Sequence, residues 1–233
     1  MRHTGGELCR LTDRVWVYPY EEARDRPNLG YIRGDRWSLA VDAGHSADHV
    51  QGFYHDLEEA GLPLPALTAL THWHWDHTFA MHAAHGLCLA NARTCSELRG
   101  FRDRLRREGT DFFLAMHETI RREYADGKPV IVTLPDLVFQ GEMRLDAGHC
   151  PIRVFQAESP HTQDATLIEA EDGKALMLGD AASGEFPDWV IRDKAAARSL
   201  AETIRRAAPE ICLPGHGSPM SPEEVIQGIL EKL

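Results

Sequence analysis

Short apolar runs separated by turn residues open the chain. Leu8–Leu11, Arg14–Tyr18, Leu29–Arg33 and Trp37–Val41 each read as a strand, and Gly34-Asp35-Arg36 between the last two marks a hairpin. Ser46 reads as the N-cap of a helix reaching about Ala60, with Val50, Phe53, Tyr54 and Leu57 on one face; Gly61 and Pro63 stop it. Ala66–Leu70 is a buried strand, a short helix is expected from about Thr78 to Ala84, and Leu87–Ala90 is a further strand. From about Arg93 to Gly127 the period changes. Leu98, Phe101 and Leu105, then Phe112, Phe113, Met116, Ile120 and Tyr124, recur at helical spacing around a break at Gly109. A helical hairpin is therefore expected at about 93–127, inserted between two strand-rich halves.

The second half supplies runs at Val130–Thr133, Leu137–Phe139, Glu142–Leu145, Ile152–Gln156, Ala165–Glu169 and Ala175–Leu178, all read as strands. A helix at Lys194–Ala207 and a strand at Ile211–Leu213 follow. Ser221-Pro222-Glu223-Glu224 is a capping box with proline in its first turn, and it opens a terminal helix. Both halves run strands first and helices after, the order of two packed sheets with helices outside. One domain spanning 1–233 is expected.

Composition narrows the function classes. Of 233 residues, 43% are hydrophobic and 26% charged, as in an ordinary globular protein. The formal charge of −11 disfavours a nucleic-acid partner, because each phosphate contact wants a Lys or Arg. Arg99, Arg102, Arg104, Arg106 and Arg107 form a basic run, but Asp103 and Glu108 interrupt it, and it reads as a solvated helix face. The 5 cysteines are odd in number, scattered and without a Cys-x-x-Cys pair, which points to reduced thiols in a cytoplasm. Met1–Glu7 has no apolar core for a signal peptide, and no run approaches the ~20 apolar residues of a membrane helix. A cytoplasmic protein with no membrane partner is expected; a homodimer stays open.

The chemistry begins where Leu67-Thr68-Ala69-Leu70 ends, in Thr71-His72-Trp73-His74-Trp75-Asp76-His77. His72 and His74 are two apart, so an extended backbone points both rings the same way, while Asp76 and His77 turn out of the strand. That geometry suits two adjacent ions better than one. Imidazole and carboxylate are good ligands for Zn²⁺ and acceptable ones for Fe or Mn. Three more ligand-type residues close apolar strands or precede them: His161 in Pro160-His161-Thr162, Asp180 after Gly179, and His216 between Gly215 and Gly217. With the first motif they complete a two-metal inventory. His45 and His49, and His82 and His85, are spaced as helix-face pairs and read as solvated; His117 and His149 read as surface residues. Trp73 and Trp75 alternate with the ligands, so they are expected to point away from them and to pack the loop.

Val41-Asp42-Ala43-Gly44, the His72–His77 motif, His161, Gly179-Asp180 and Gly215-His216-Gly217 stand in the order and approximate spacing of the metallo-β-lactamase-fold superfamily, which this chain resembles over nearly its whole length. The resemblance implies an αββα sandwich of two mixed β-sheets, with a two-metal site at one edge. It implies that His72, His74 and His161 hold one ion, that Asp76, His77 and His216 hold the other, and that Asp180 bridges them. Asp42 would support the ligand loop from behind. The expected activity is hydrolysis of an ester, lactone, thioester or amide-type bond of a small molecule. A hydroxide held between two divalent ions, zinc first and iron or manganese as alternatives, would attack it. Asp76 would orient the hydroxide and pass on its proton. An iron-dependent oxygenase resembling the persulfide dioxygenases, or a phosphodiesterase, is the alternative. Phe112, Phe113 and Met116 of the insert either wall the substrate pocket or pack the hairpin onto the sandwich.

Overall fold

Continuous burial, broken only at Arg33, places Leu29–Arg33, Ser38–Val41 and Ala175–Gly179 inside their sheets, while the alternation of exposed and half-buried positions along Glu142–Asp146 marks an edge strand. The computed structural model describes residues 7–170 and 175–233, so of the N-terminal stretch read above only Glu7 is included. In chain order the first sheet takes β1 (Cys9–Arg10), β2 (Val15–Tyr18), β3 (Leu29–Arg33) and β4 (Ser38–Val41). It continues, after helix α1 (Ala47–Glu59), with β5 (Leu67–Ala69). A one-turn helix, α2 (Trp75–Thr78), leads to β6 (Leu87–Asn91). The insert follows as α3 (Ala92–Glu108), α4 (Asp111–Leu114) and α5 (Glu118–Glu123), and β7 (Leu137–Phe139) ends the sheet. The second sheet is built from β8 (Glu142–Asp146), β9 (Pro151–Gln156), β10 (Thr166–Ala170) and β11 (Ala175–Gly179). After α6 (Lys194–Ala207) it gains β12 (Ile211–Pro214), and α7 (Pro222–Leu230) closes the chain.

The strands of the first sheet lie in sequence order, antiparallel from β1 to β4 and parallel from β4 to β7. The second has the order β12-β11-β10-β9-β8, antiparallel except for the parallel β11–β12 pair. Their inner faces meet in one core, with Val15, Ile32 and Leu39 against Ile152, Val154 and Ile168. Val50, Phe53 and Leu57 of α1 cover the outer face of the first sheet; Leu200 and Ile204 of α6 and Val225 and Ile229 of α7 cover that of the second. Each such fully buried side chain contributes about 1.5–3 kcal/mol by leaving water. The layers are therefore α, β, β and α, as expected.

Two local expectations change. Val130–Thr133 is not a strand: Pro129 and Pro135 bracket it, and β6 already pairs with Leu137–Phe139. Val132 is instead buried against the insert. The insert is a long helix followed by two short ones, because the chain breaks again between Leu114 and Glu118. The short helix expected from about Thr78 to Ala84 forms as a 3-10 helix at Phe79–Ala83, directly after the one-turn α2. No helix among the described residues is long and apolar enough to cross a membrane.

Candidate metal centre

Parallel strands deliver their carboxyl ends to one edge, and there the ligand-type residues converge. Beyond β5 the chain passes His72 and His74 and then coils, so Asp76 and His77 sit in the first turn of α2 rather than in a simple turn. Thr78 closes that coil by donating its hydroxyl to Trp73 O and His74 O. The rings of His72 and His74 lie 4.7 Å apart and those of His72 and His77 4.3 Å apart. Two groups result: His72, His74 and His161 in one, and Asp76, His77, Asp180 and His216 in the other. Within each, the ligand atoms lie within 4.8 Å of one another. His161 Nε2 is 3.0 Å from His74 Nδ1, and Asp76 Oδ2 is 3.0 Å from His216 Nε2 and 3.2 Å from His77 Nε2. Asp180 stands between the groups: Oδ2 is 3.7 Å from His161 Nε2 and 3.8 Å from His216 Nε2, and Oδ1 is 3.6 Å from His77 Nε2.

A layer of hydrogen bonds behind these residues aims them. Asp42, almost fully buried, accepts from the Thr71 backbone N–H at 2.8 Å and from the His77 Nδ1–H at 2.7 Å. The Thr71 hydroxyl donates to Asp42 at 2.9 Å and accepts from His72 Nδ1 at 3.1 Å. His161 Nδ1 donates to Gly184 O at 2.7 Å. This network assigns a proton to Nδ1 in all three rings and turns each Nε2 toward the centre. His72 Nε2 and His77 Nε2 are buried without a hydrogen-bond partner, an expensive state that a bound cation relieves. The donor set and its orphaned nitrogens fit divalent ions. Gly215 is required by space, since a Cβ there would stand 2.1 Å from Asp180 Oδ1 and 2.8 Å from His77 Cε1.

Electrostatics separates the two groups. Burial disfavours the imidazolium, so His72 is held well below its usual range and His74 is pushed down to about 3, with neighbouring rings adding to the effect. Burial works against charge in the second group too, but the opposite charges there outweigh it. Asp76 and Asp180 are held well below the carboxylate range, chiefly by His77 and His216. Asp76, Asp42 and Asp180 raise His77 well above its usual value, and Asp180 and Asp76 raise His216 to about 9.

A cleft of about 720 Å³ opens onto the first group, with Trp73, His74, Trp75, Met116, His161 and Phe186 in its wall. The tryptophans do not point away from the ligands. Trp75 stacks on His74 at 5.2 Å and Trp73 meets it edge-on at 4.7 Å, because the chain coils at residue 75 instead of staying extended. Of the three insert residues considered for the pocket, Met116 lines it. Phe113 is fully buried among Trp75, Phe79, Phe101 and Tyr124, and Phe112 lies under the Arg104 guanidinium. Glu123, also fully buried, pins the insert: it accepts from Arg26 Nε at 2.9 Å and from the Ser46 hydroxyl.

His45 and His49 are buried, not solvated. His49 shares the α1 face that carries Phe53 and Leu57, and its Nδ1 accepts from the His45 backbone N–H at 3.3 Å. His82, His85, His117 and His149 are exposed, as expected. Sequence reasoning overlooked Asn28, whose side chain donates to Pro214 O at 2.9 Å and Gly217 O at 2.8 Å and so holds the turn bearing His216. Only its place directly after Pro27 hinted at a special role. Cys9, Cys88, Cys95, Cys150 and Cys212 form no disulfide among the described residues.

The comparisons agree with this geometry. A family model described as the metallo-beta-lactamase superfamily matches residues 24–216. An acyl-coenzyme A thioesterase, MBLAC2 of Gallus gallus, is 24% identical over 229 residues, covering 86% of this chain and 76% of that protein. Among solved structures, the DIM-1 metallo-beta-lactamase is similar with a TM-score of 0.67 at 15% identity, covering 97% of this chain and 99% of its own. A metallo-beta-lactamase from Pontibacter korlensis is similar with a TM-score of 0.66 at 14% identity, covering 97% of both chains. At such identities the structural likeness establishes the fold alone.

Proposed function

The chain belongs to the metallo-β-lactamase superfamily, and from that membership we propose that it hydrolyses a carbonyl ester of a small, partly apolar molecule, a thioester in first place. One observation carries the reading: Asp180 of one ligand group stands 3.7 Å from His161 of the other, and a cleft walled in part by Trp73, Trp75, Met116 and Phe186 opens onto His74 and His161. The thioester preference is supported by the likeness to an acyl-coenzyme A thioesterase. The formal charge of −11 weighs against phosphodiester and nucleic-acid substrates.

His72, His74 and His161 would hold one divalent ion and Asp76, His77 and His216 a second, with Asp180 between them; zinc suits these donors best, and iron or manganese is acceptable. When bound, such ions supply Lewis acidity for the carbonyl oxygen and bring the pKa of a coordinated water near neutrality. The chain's own residues do the rest. Asp76 stays ionised beside His77 and His216, so its carboxylate orients the attacking water and accepts its proton. Asp42 and Thr71 keep His72 and His77 in the tautomer that presents Nε2. Trp73, Met116 and Phe186 shield the acyl chain from water.

The test is metal analysis of protein purified without chelator, beside a panel of ester, lactone, thioester and phosphodiester substrates. The reading expects close to two equivalents of metal, thioester or ester turnover, and loss of both metal and turnover in Asp180→Ala. A single iron equivalent with oxygen consumption and no hydrolysis would overturn it in favour of an oxygenase. Full metal content and turnover in Asp180→Ala would overturn the bridging role.

A further inference from the structure

The cleft does not end at the ligands. A second cavity of about 570 Å³ lies between the start of α6 and the neighbouring ends of β8 and β9. The two cavities share Arg93, Ser159, Gln163 and Asp193, so together they form one groove that passes over the segment carrying His161. With the second cavity added, the groove has more room than a carbonyl and a short apolar chain would fill. The far cavity is also differently lined, by Gln156, Glu158 and Ser159 with no aromatic ring. A substrate using the whole groove has a polar end there.

Arg93 is the single Arg or Lys in either wall. It is the second residue of α3, and its backbone N–H is capped by Asn91 Oδ1 at 2.8 Å. Its guanidinium donates through Nη1 to Gln163 O at 2.8 Å, two residues beyond His161. A carbonyl fixes the guanidinium without neutralising it, and the group has five N–H donors to place. Elsewhere on α3, Arg104 and Arg107 pair with Glu108, and Arg106 pairs with Asp103. Arg93 takes part in no ion pair among the described residues, although Glu97, Glu185 and Asp193 line the same groove. The arginine, exposed to solvent, is thus held where the two cavities join, with no acid among the described residues in ion-pair contact with it.

We propose that Arg93 is a specificity-determining residue that grips a single carboxylate at the polar end of the substrate, while the scissile carbonyl lies by His74 and His161. The planar fork of the guanidinium matches a carboxylate in two parallel hydrogen bonds. A phosphate dianion or polyphosphate is disfavoured by the acids on the same walls and by the overall charge. This inference rests on the hydrolase reading for the position of the carbonyl.

The test uses the full-length, metal-loaded protein and two N-acetylcysteamine thioesters, one of adipic acid and one of its monoamide, which differ only in the terminal carboxylate. In Arg93→Ala the ratio of their kcat/KM values should fall about 10- to 100-fold, the range of one charge-assisted pair, and mainly through KM. Arg93→Lys, which keeps the charge and loses the fork, should fall between. An unchanged ratio in Arg93→Ala overturns the proposal. A second arm needs no turnover: tryptophan fluorescence, reporting from Trp73 and Trp75, follows binding of adipate and adipamate. The wild-type preference for adipate should shrink by the same factor in Arg93→Ala, and an equal preference in both proteins again overturns the proposal. Should neither thioesters nor esters be hydrolysed while the adipate preference depends on Arg93, the hydrolase reading fails and the carboxylate site stands.

Discussion

Asp42→Asn isolates what the carboxylate behind the ligands does. Asp42 sits at φ 65°, a left-handed conformation that Asn adopts as readily as Asp, so the exchange alters charge and donor pattern rather than backbone. An asparagine can still accept from the Thr71 N–H, but its amide NH₂ then faces His77 Nδ1, which at present donates. The ring escapes this clash by moving its proton to Nε2, the atom 3.2 Å from Asp76 Oδ2 and turned toward the centre. Loss of the charge-assisted bond costs roughly 1.5–3 kcal/mol at most. For a chain of this size that is about 3–12 °C in the Tm of the metal-free protein. The ligand atom itself is blocked by a proton, so affinity for the second ion should fall about 10- to 100-fold. Competition with a chromogenic chelator gives the affinity, and calorimetry gives the Tm. Unchanged metal affinity beside a lowered Tm would refute the tautomer argument and leave Asp42 as a packing acid.

Gly215→Ala forces a methyl against Asp180 and His77; metal content should drop while the far-UV circular dichroism stays native, and retained metal would contradict the close approach. Phe113→Ala opens a cavity among buried rings and should cost about 3–5 kcal/mol in denaturant unfolding without changing relative rates for acyl chains of different length. Met116→Ala should do the reverse, shifting chain-length preference with little loss of stability. In the metal-free protein Asp180 and Asp76 raise His216 from 6.5 to about 9, against the pull of burial, so at neutral pH a proton occupies the ligand. Apparent metal affinity should therefore climb from pH 6.5 to about 9 and then level off. The same proton stabilises the metal-free fold fully below pH 6.5, and that contribution fades as the pH rises through about 9. A flat affinity profile across this range would show that His216 is not among the ligands.

Local pattern was enough to place the strands and the ligand types, because both are short-range statements. Leu29–Arg33, Leu137–Phe139 and Lys194–Ala207 form as their spacing says, and Ser221 with Glu224 forms its capping box. A histidine, an aspartate and a glycine at strand ends name their chemistry before any folding is considered, which is why the seven residues of the centre were legible together. What spacing could not say is who stands opposite. His45 lies just before α1 and is buried because the connection from β2 to β3 and the insert close over it, while His49 on α1 is buried with its ring against Tyr18 of β2. Val130–Thr133 has the composition of a strand, but a strand needs an open partner edge, and β7 occupies it. Asn28 reaches across 186 residues to the carbonyl of Pro214, and Arg93 reaches across 70 to that of Gln163. Among Phe112, Phe113 and Met116, identical in helical period, only the packing of α4 against Trp75 and Phe79 decides which are core and which face the cleft. Sequence determined which groups could act; the tertiary structure decided which of them meet, because a buried polar atom is settled by a partner far along the chain.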